Sequence, residues 1–86
     1  MPRIAEFYGI AVYMYYRDHG VPHFHAVYGE YEAVLRIRGL RVIEGRLPQR
    51  ALALARAWGK LHVEELERDW ELARGHRPLR RIAPLE

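Results

Sequence analysis

Three of the five histidines fall within one short segment, residues 19–25. His23 and His25 are two apart in a run of strand-forming residues, and side chains two apart on a strand point to the same face. We therefore predict that the two imidazoles stand side by side, with Phe24 on the opposite face. Imidazole changes charge near neutral pH and can also bind metals, so the pair is the first candidate for chemistry.

One hypothesis is a site for RNA or another anionic ligand, with His23 and His25 as acid and base. Nearby arginines would stabilise phosphate charge, and tyrosines would stack on bases. The binding residues in this hypothesis are Tyr13, Tyr15, His19, Glu32, Arg36 and Arg38. Whether the protein is an enzyme stays open.

A second hypothesis is a metal site, because a His-x-His pair on a strand can chelate a divalent ion. His19 or Asp18 would complete the ligand set, with Glu32 as a further ligand or a hydrogen-bond partner. The arginines disfavour a cation, so no cofactor is expected unless it is such a metal. A third hypothesis is a hydrogen-bonded patch without catalysis, at a homodimer interface or at the interface with another small protein.

The composition fits one small folded domain, residues 1–86, with a thin core. The absence of cysteine excludes disulfides and thiolate zinc sites. The formal charge is +3, and all but one of the fourteen Lys and Arg residues are arginine, which suits either an anionic partner or a solvated surface. No apolar run approaches a membrane span and no signal segment opens the chain, so we expect a cytoplasmic protein.

The hydrophobic pattern predicts an α+β fold in the order β-β-β-β-α-α, with both helices packed on one face of a small antiparallel sheet of about four strands. Residues 1–45 form the sheet, 46–76 the helices and 77–86 an extended basic tail. The strands are predicted over residues 6–17, 23–28, 31–38 and 41–44. The buried face should carry Ile10, Val12, Met14, Phe24, Ala26, Leu35 and Ile37, with Tyr16 on the same side of the first strand.

Gly29 and Glu30 predict a two-residue type II′ turn, which fixes the register of the hairpin around them. Phe24 then pairs with Leu35, His25 with Val34, and His23 with Arg36. The other face is predicted to be open, and to carry Tyr13, Tyr15, His23, His25, Glu32, Arg36 and Arg38.

The second half reads as helix from Pro48 to Gly75, with a break near residues 59–63 where two apolar stripes fall out of phase. Trp58 and Trp70 are predicted core residues, and His62 a structural residue at the break. The acidic residues of the second helix, Glu64, Glu65, Glu67 and Asp69, are predicted to form a solvated face.

Several short motifs carry a resemblance to a known family. They are residues 7–10, 14–16, 18–19, 22–26, 28–33, 44–45, 47–48, 70–73, 78–79 and 82, with Pro22-His23-Phe24-His25-Ala26 at their centre. The chain resembles the small bacterial family called domain of unknown function 4160, and departs from it at Val21, where a second proline is expected. The resemblance implies no assigned activity, but it implies a gene that often lies beside another small gene, as in toxin–antitoxin pairs. The leading hypothesis is therefore an RNA-directed component of such a pair.

Overall fold

The computed structural model describes residues 2–16 and 18–86. Within them, a five-stranded antiparallel sheet with strands in chain order precedes two helices, so the predicted α+β class is confirmed. The strands are β1 Arg3–Phe7, β2 Ile10–Tyr13, β3 His23–Tyr28, β4 Tyr31–Arg36 and β5 Val42–Arg46. The helices are α1 Gln49–Leu61 and α2 Val63–Arg74.

The predicted strand over residues 6–17 is wrong, because the chain reverses at Tyr8 and Gly9 and forms two strands there. Both turn residues have positive φ, 48° and 79°, as a two-residue type I′ turn requires. Tyrosine favours strands and seldom adopts positive φ, so the run reads as one strand. The sheet thus has five strands rather than four. Tyr16 is exposed rather than buried, and Arg17 lies outside the described residues.

The hairpin of β3 and β4 has the predicted register. Phe24 pairs with Leu35, His25 with Val34 and His23 with Arg36. Gly29 has a φ of 60°, which fits the first central position of the predicted type II′ turn. The two histidines are therefore held on the central strand of the sheet, flanked on one side by β2 and on the other by β4.

The last strand begins and ends later than the sequence pattern predicts, and a bulge interrupts its pairing with β4 opposite Val34 and Leu35. Gly45 in this strand has a φ of 73°, and a Cβ there would lie 2.1 Å from the carbonyl oxygen of Glu32. Only glycine allows the two backbones to come this close.

The predicted apolar face is buried throughout: Ile10, Val12, Met14, Phe24, Ala26, Leu35 and Ile37 have no exposed surface. Residues from the helices belong to the same buried cluster. The ring of Trp58 in α1 stacks on Phe7 at 5.3 Å between centroids and meets Phe24 edge-on at 5.8 Å. Trp58 and Trp70 are core residues, as predicted.

The helices are separated by His62, at the predicted break, and α2 ends at Gly75 as predicted. The imidazole of His62 bonds Glu65 and lies 5.4 Å from the Trp58 ring, which fits a structural role. None of the helices in the described part of the chain is long and apolar enough to cross a membrane.

Hydrogen bonds hold the chain beyond α2 to the body. The Ile82 N–H donates to the carbonyl of Ile4, Trp58 Nε1 donates to Ala83, and the Arg80 N–H donates to Asp69 Oδ1. Asp69 is fully buried, so the prediction of a solvated acidic face is wrong at this residue. Burial raises the pKa of Asp69, against the opposing effects of the Arg80 N–H and of Arg68.

Candidate functional site

The two histidines stand on one face of β3, as predicted. Their ring centroids are 5.4 Å apart, with 64° between the ring planes. Phe24, between them in sequence, is fully buried in the core cluster. The alternation of the strand therefore places the two imidazoles together, on the face opposite Phe24.

Asp18 approaches both imidazoles from the connection between β2 and β3. Its Oδ2 atom lies 2.8 Å from His23 Nε2 and 3.4 Å from His25 Nε2. One ligand atom from each of the three side chains lies within 4.8 Å of the other two. We call Asp18, His23 and His25 the HHD cluster.

The far side of each imidazole is also bonded. His23 Nδ1 lies 2.7 Å from the carbonyl oxygen of Val21, and His25 Nδ1 lies 3.1 Å from Glu32 Oε2. A carbonyl oxygen can only accept, so His23 Nδ1 is the donor. Ionised Asp18 is also an acceptor, so its contact with His23 Nε2 requires either a second N–H on the ring or a cation between the two atoms. The same holds for His25 when its Nδ1 donates to ionised Glu32.

Asp18 is held as a carboxylate. Burial alone would raise its pKa. The hydrogen bonds that Asp18 accepts from His23, His25 and the backbone N–H of His19, together with the charge attraction of His23, outweigh burial, and the pKa of Asp18 is lowered. The cluster thus presents two imidazole nitrogens and one negative oxygen to the same small volume.

The two histidines differ in their surroundings. His23 is buried, and its ring lies 5.0 Å from that of Trp70 in α2, so the predicted open face is closed at this position. The side chain of His25 is 16% exposed, and the ring of Tyr15 meets it edge-on at 4.4 Å. Tyr13 and Tyr15 stack nearly parallel beside it, with centroids 6.5 Å apart.

Two of the other predicted site residues, Glu32 and Arg36, lie on β4 beside the histidine strand, and two, His19 and Arg38, lie outside the cluster. Glu32 joins the cluster through His25, and Arg36 is exposed on β4 opposite His23. The side chain of His19 is exposed, and Asp18 rather than His19 completes the three-residue group. Arg38 lies beyond the end of β4, in a two-bond ion pair with Glu67 of α2 at 2.7 and 3.1 Å.

Sequence reasoning missed two contributors to the site. The Val21 carbonyl, which orients His23, leaves no signature in the sequence because it belongs to the backbone. Glu44 lines a cavity of about 290 Å³ together with His25, Glu32, Val34 and Gly45. Glu44 pairs with Val34, so a correct register for β5 would have placed Glu44 beside the site. The sequence pattern does not predict which face of the sheet the β5 side chains occupy, because a bulge shifts the register of this strand.

These features define a small α+β protein with a histidine–carboxylate cluster on the central strand of its sheet. Residues 9–71 match the model of the family described as Domain of unknown function (DUF4160). The match covers more than half of the chain, so the chain belongs to this family, and the resemblance seen in the sequence is confirmed. Neither the curated proteins nor the solved structures include a match to it. The family description names no activity, so function must be argued from the cluster.

Proposed function

We propose that the protein binds one divalent transition-metal ion through the HHD cluster. The supporting observation is that both Nε2 atoms converge on one carboxylate oxygen while both Nδ1 atoms are bonded to acceptors. With neutral rings, nitrogen lone pairs would face the lone pairs of Asp18. A positive charge between them removes that repulsion, and either bound protons or a metal ion can supply it.

The spacing of the cluster suits an ion. Zinc–nitrogen bonds are about 2.0–2.1 Å, so neighbouring ligand atoms around one ion lie roughly 3.0–3.4 Å apart. The observed Nε2–Oδ2 distance is 3.4 Å at His25, inside this range, and 2.8 Å at His23, so a bound ion would require His23 Nε2 and Asp18 Oδ2 to move slightly apart. The acceptors behind the rings, a backbone carbonyl and a carboxylate, are the partners that metal-binding histidines commonly have.

The donor set narrows the choice of metal. Two imidazole nitrogens and one carboxylate favour zinc, nickel, cobalt, iron(II) or manganese(II) over calcium and magnesium, which prefer oxygen ligands. Three protein ligands leave a position for water or for another small ligand. Glu32 would act behind His25, by accepting a hydrogen bond from Nδ1–H and increasing the basicity of Nε2.

Titration of chelator-treated protein with zinc, nickel, cobalt and magnesium chlorides, followed by calorimetry, tests the proposal. We expect one ion per chain for a transition metal and none for magnesium. Asp18→Asn and His25→Gln should each weaken binding by at least about 10–100-fold. His19→Ala is the matched control, since its imidazole is exposed in the same connection, and it should bind normally. Equal losses in His19→Ala, or no stoichiometric binding, would refute the proposal.

RNA is the second candidate, and the stacked rings of Tyr13 and Tyr15 beside His25 favour it. Arg36, exposed opposite His23, would supply phosphate contacts in this case. Binding of single-stranded RNA should weaken steeply with salt, and Tyr15→Leu should reduce it. Unchanged affinity in Tyr15→Leu would exclude the tyrosine stack as the binding surface.

The wider setting remains a prediction: a toxin–antitoxin-like gene pair, a small protein partner, a homodimer and a cytoplasmic location. Light scattering on the purified protein tests the dimer, and co-expression with the neighbouring gene tests the partner. The packing of both helices on one face of the sheet also remains a prediction. The contacts of Trp58 with Phe7 and Phe24 support that arrangement for α1.

A further inference from the structure

A groove of about 640 Å³ lies where α1 and the start of α2 meet the turn between β4 and β5. It shares no residue with the HHD cluster. Its walls are mostly apolar, and two cations complete its lining: the full set is Ile37, Gly39, Leu40, Ala53, Arg56, Ala57, Lys60 and Val63. A volume of this size is typical of sites for small organic ligands.

The two cations of the groove, Arg56 and Lys60, are four residues apart on α1 and therefore lie on one side of the helix. Neither forms a salt bridge with an acidic group in the part of the chain that the structure describes. Arg56 Nε donates to the carbonyl of Leu40 at 3.1 Å, which fixes the guanidinium at the groove. Its terminal nitrogens have no acceptor among residues 2–16 and 18–86.

One wall of the groove contains a residue with an unusual backbone conformation. Leu40 has a φ of 57°, in the left-handed region that favours glycine. Its side chain is buried, and a Cβ on Gly59 would lie 2.6 Å from its Cδ2 atom. Glycine at position 40 would relieve the backbone but remove the wall. Leu40 belongs to the buried core cluster, so this residue packs the turn between β4 and β5 against α1 and shapes the groove there.

We propose that this groove binds an amphipathic monoanion, namely a saturated monocarboxylate whose chain of about eight to ten carbons suits a cavity of small-ligand size. The carboxylate would pair with Arg56 and Lys60 through charge-assisted hydrogen bonds. The alkyl chain would lie on the exposed Ala53 and Ala57 of α1 and on the half-buried Val63. An uncharged ligand of the same shape would leave both cations unpaired, so the two halves of the groove together select this class.

Titration of the isotope-labelled full chain with octanoate, followed by amide chemical shifts, tests the inference. We expect saturable one-to-one binding with shifts confined to residues 37–40 and 53–63. Octanol and inorganic phosphate, each offering half of the ligand, should bind at least tenfold more weakly. Octanol binding as tightly as octanoate, phosphate binding as tightly, or no saturable shifts would each overturn the inference.

Variants distinguish octanoate binding in the groove from nonspecific binding of octanoate as a surfactant. Arg56→Gln combined with Lys60→Gln should weaken octanoate at least tenfold and leave octanol unchanged. Ala57→Leu, a helix-compatible change that fills the groove, should abolish binding of both. Arg50→Gln is the matched control, since Arg50 is exposed on the same helix outside the groove. Octanoate affinity that is unchanged in the double variant, or equally reduced in Arg50→Gln, contradicts the assignment.

Discussion

Saturating the HHD cluster with zinc should raise the melting temperature of the protein by about 10–20 °C. The ligands meet only in the folded chain, where Asp18 reaches both Nε2 atoms from the connection before β3. A ligand specific to the folded state, at a hundredfold its dissociation constant, adds about 2.7 kcal/mol to the free energy of unfolding. For a domain of this size, each kcal/mol corresponds to about 4–8 °C.

The same measurement on variants separates metal binding from packing. In metal-free protein, His25→Ala should cost about 1–2 kcal/mol, because it removes the edge-on contact with Tyr15 and the hydrogen bond to Glu32. Asp18→Asn keeps the shape of the side chain and removes its charge. Both variants should gain clearly less stability than the wild type when zinc is added, whereas His19→Ala should gain as much as the wild type.

Thermal unfolding of chelator-treated protein, with and without zinc and with magnesium as a control, provides the assay. The gain should shrink as the pH falls, because protons compete for the same nitrogens; each displaced proton changes the affinity by up to about tenfold per pH unit. The reasoning is refuted if zinc, nickel and cobalt all leave the wild-type melting temperature unchanged, or if Asp18→Asn retains the full gain.

Three further predictions concern stability. Folding lowers the pKa of Asp18 and raises that of Asp69. The stability of Asp18→Asn relative to the wild type should therefore fall with rising pH, and that of Asp69→Asn should rise. Denaturation from pH 3 to 7 measures both trends, and parallel slopes in the two variants would contradict the reasoning. Gly45→Ala should cost more than about 2 kcal/mol, whereas Gly39→Ala, with similar φ and open space, should cost about 1–2 kcal/mol by urea denaturation. Ile82→Ala should cost about 2–4 kcal/mol, because Ile82 is buried; a neutral effect would show that the final segment adds nothing to the core.

The sequence predicts the β3–β4 hairpin correctly because each local signal agrees there. Gly29 allows the turn, and the alternation from His23 to Tyr28 leaves one register that buries Phe24. The same approach does not predict the first hairpin, because Tyr8 has a positive φ that its residue type does not indicate. The pairing of β1 with β2 stabilises a turn conformation that tyrosine alone would avoid.

The histidine pair is predictable because it depends only on strand periodicity. Its third partner is not fixed by the sequence, because both Asp18 and His19 lie close enough to reach the pair, and the path of the connection decides between them. The burial of Asp69 is not predicted for a similar reason. It depends on a chain segment eleven residues away, whose Arg80 N–H donates to the Asp69 carboxylate. Such long-range contacts have no local pattern.

The metal and RNA hypotheses are physically connected, because the same connection carries Asp18, which would bind the metal, and Tyr15, which would stack on a base. Tyr15 packs on His25, and Asp18 bonds His25 on its Nε2 side. An ion that fixes Asp18 and His25 would therefore also fix the position of Tyr15. If the protein binds both ligands, thermodynamic linkage requires that zinc change RNA affinity by the same factor by which RNA changes zinc affinity. A factor clearly different from one would indicate that the two ligands are coupled, and a factor of one would indicate two independent surfaces.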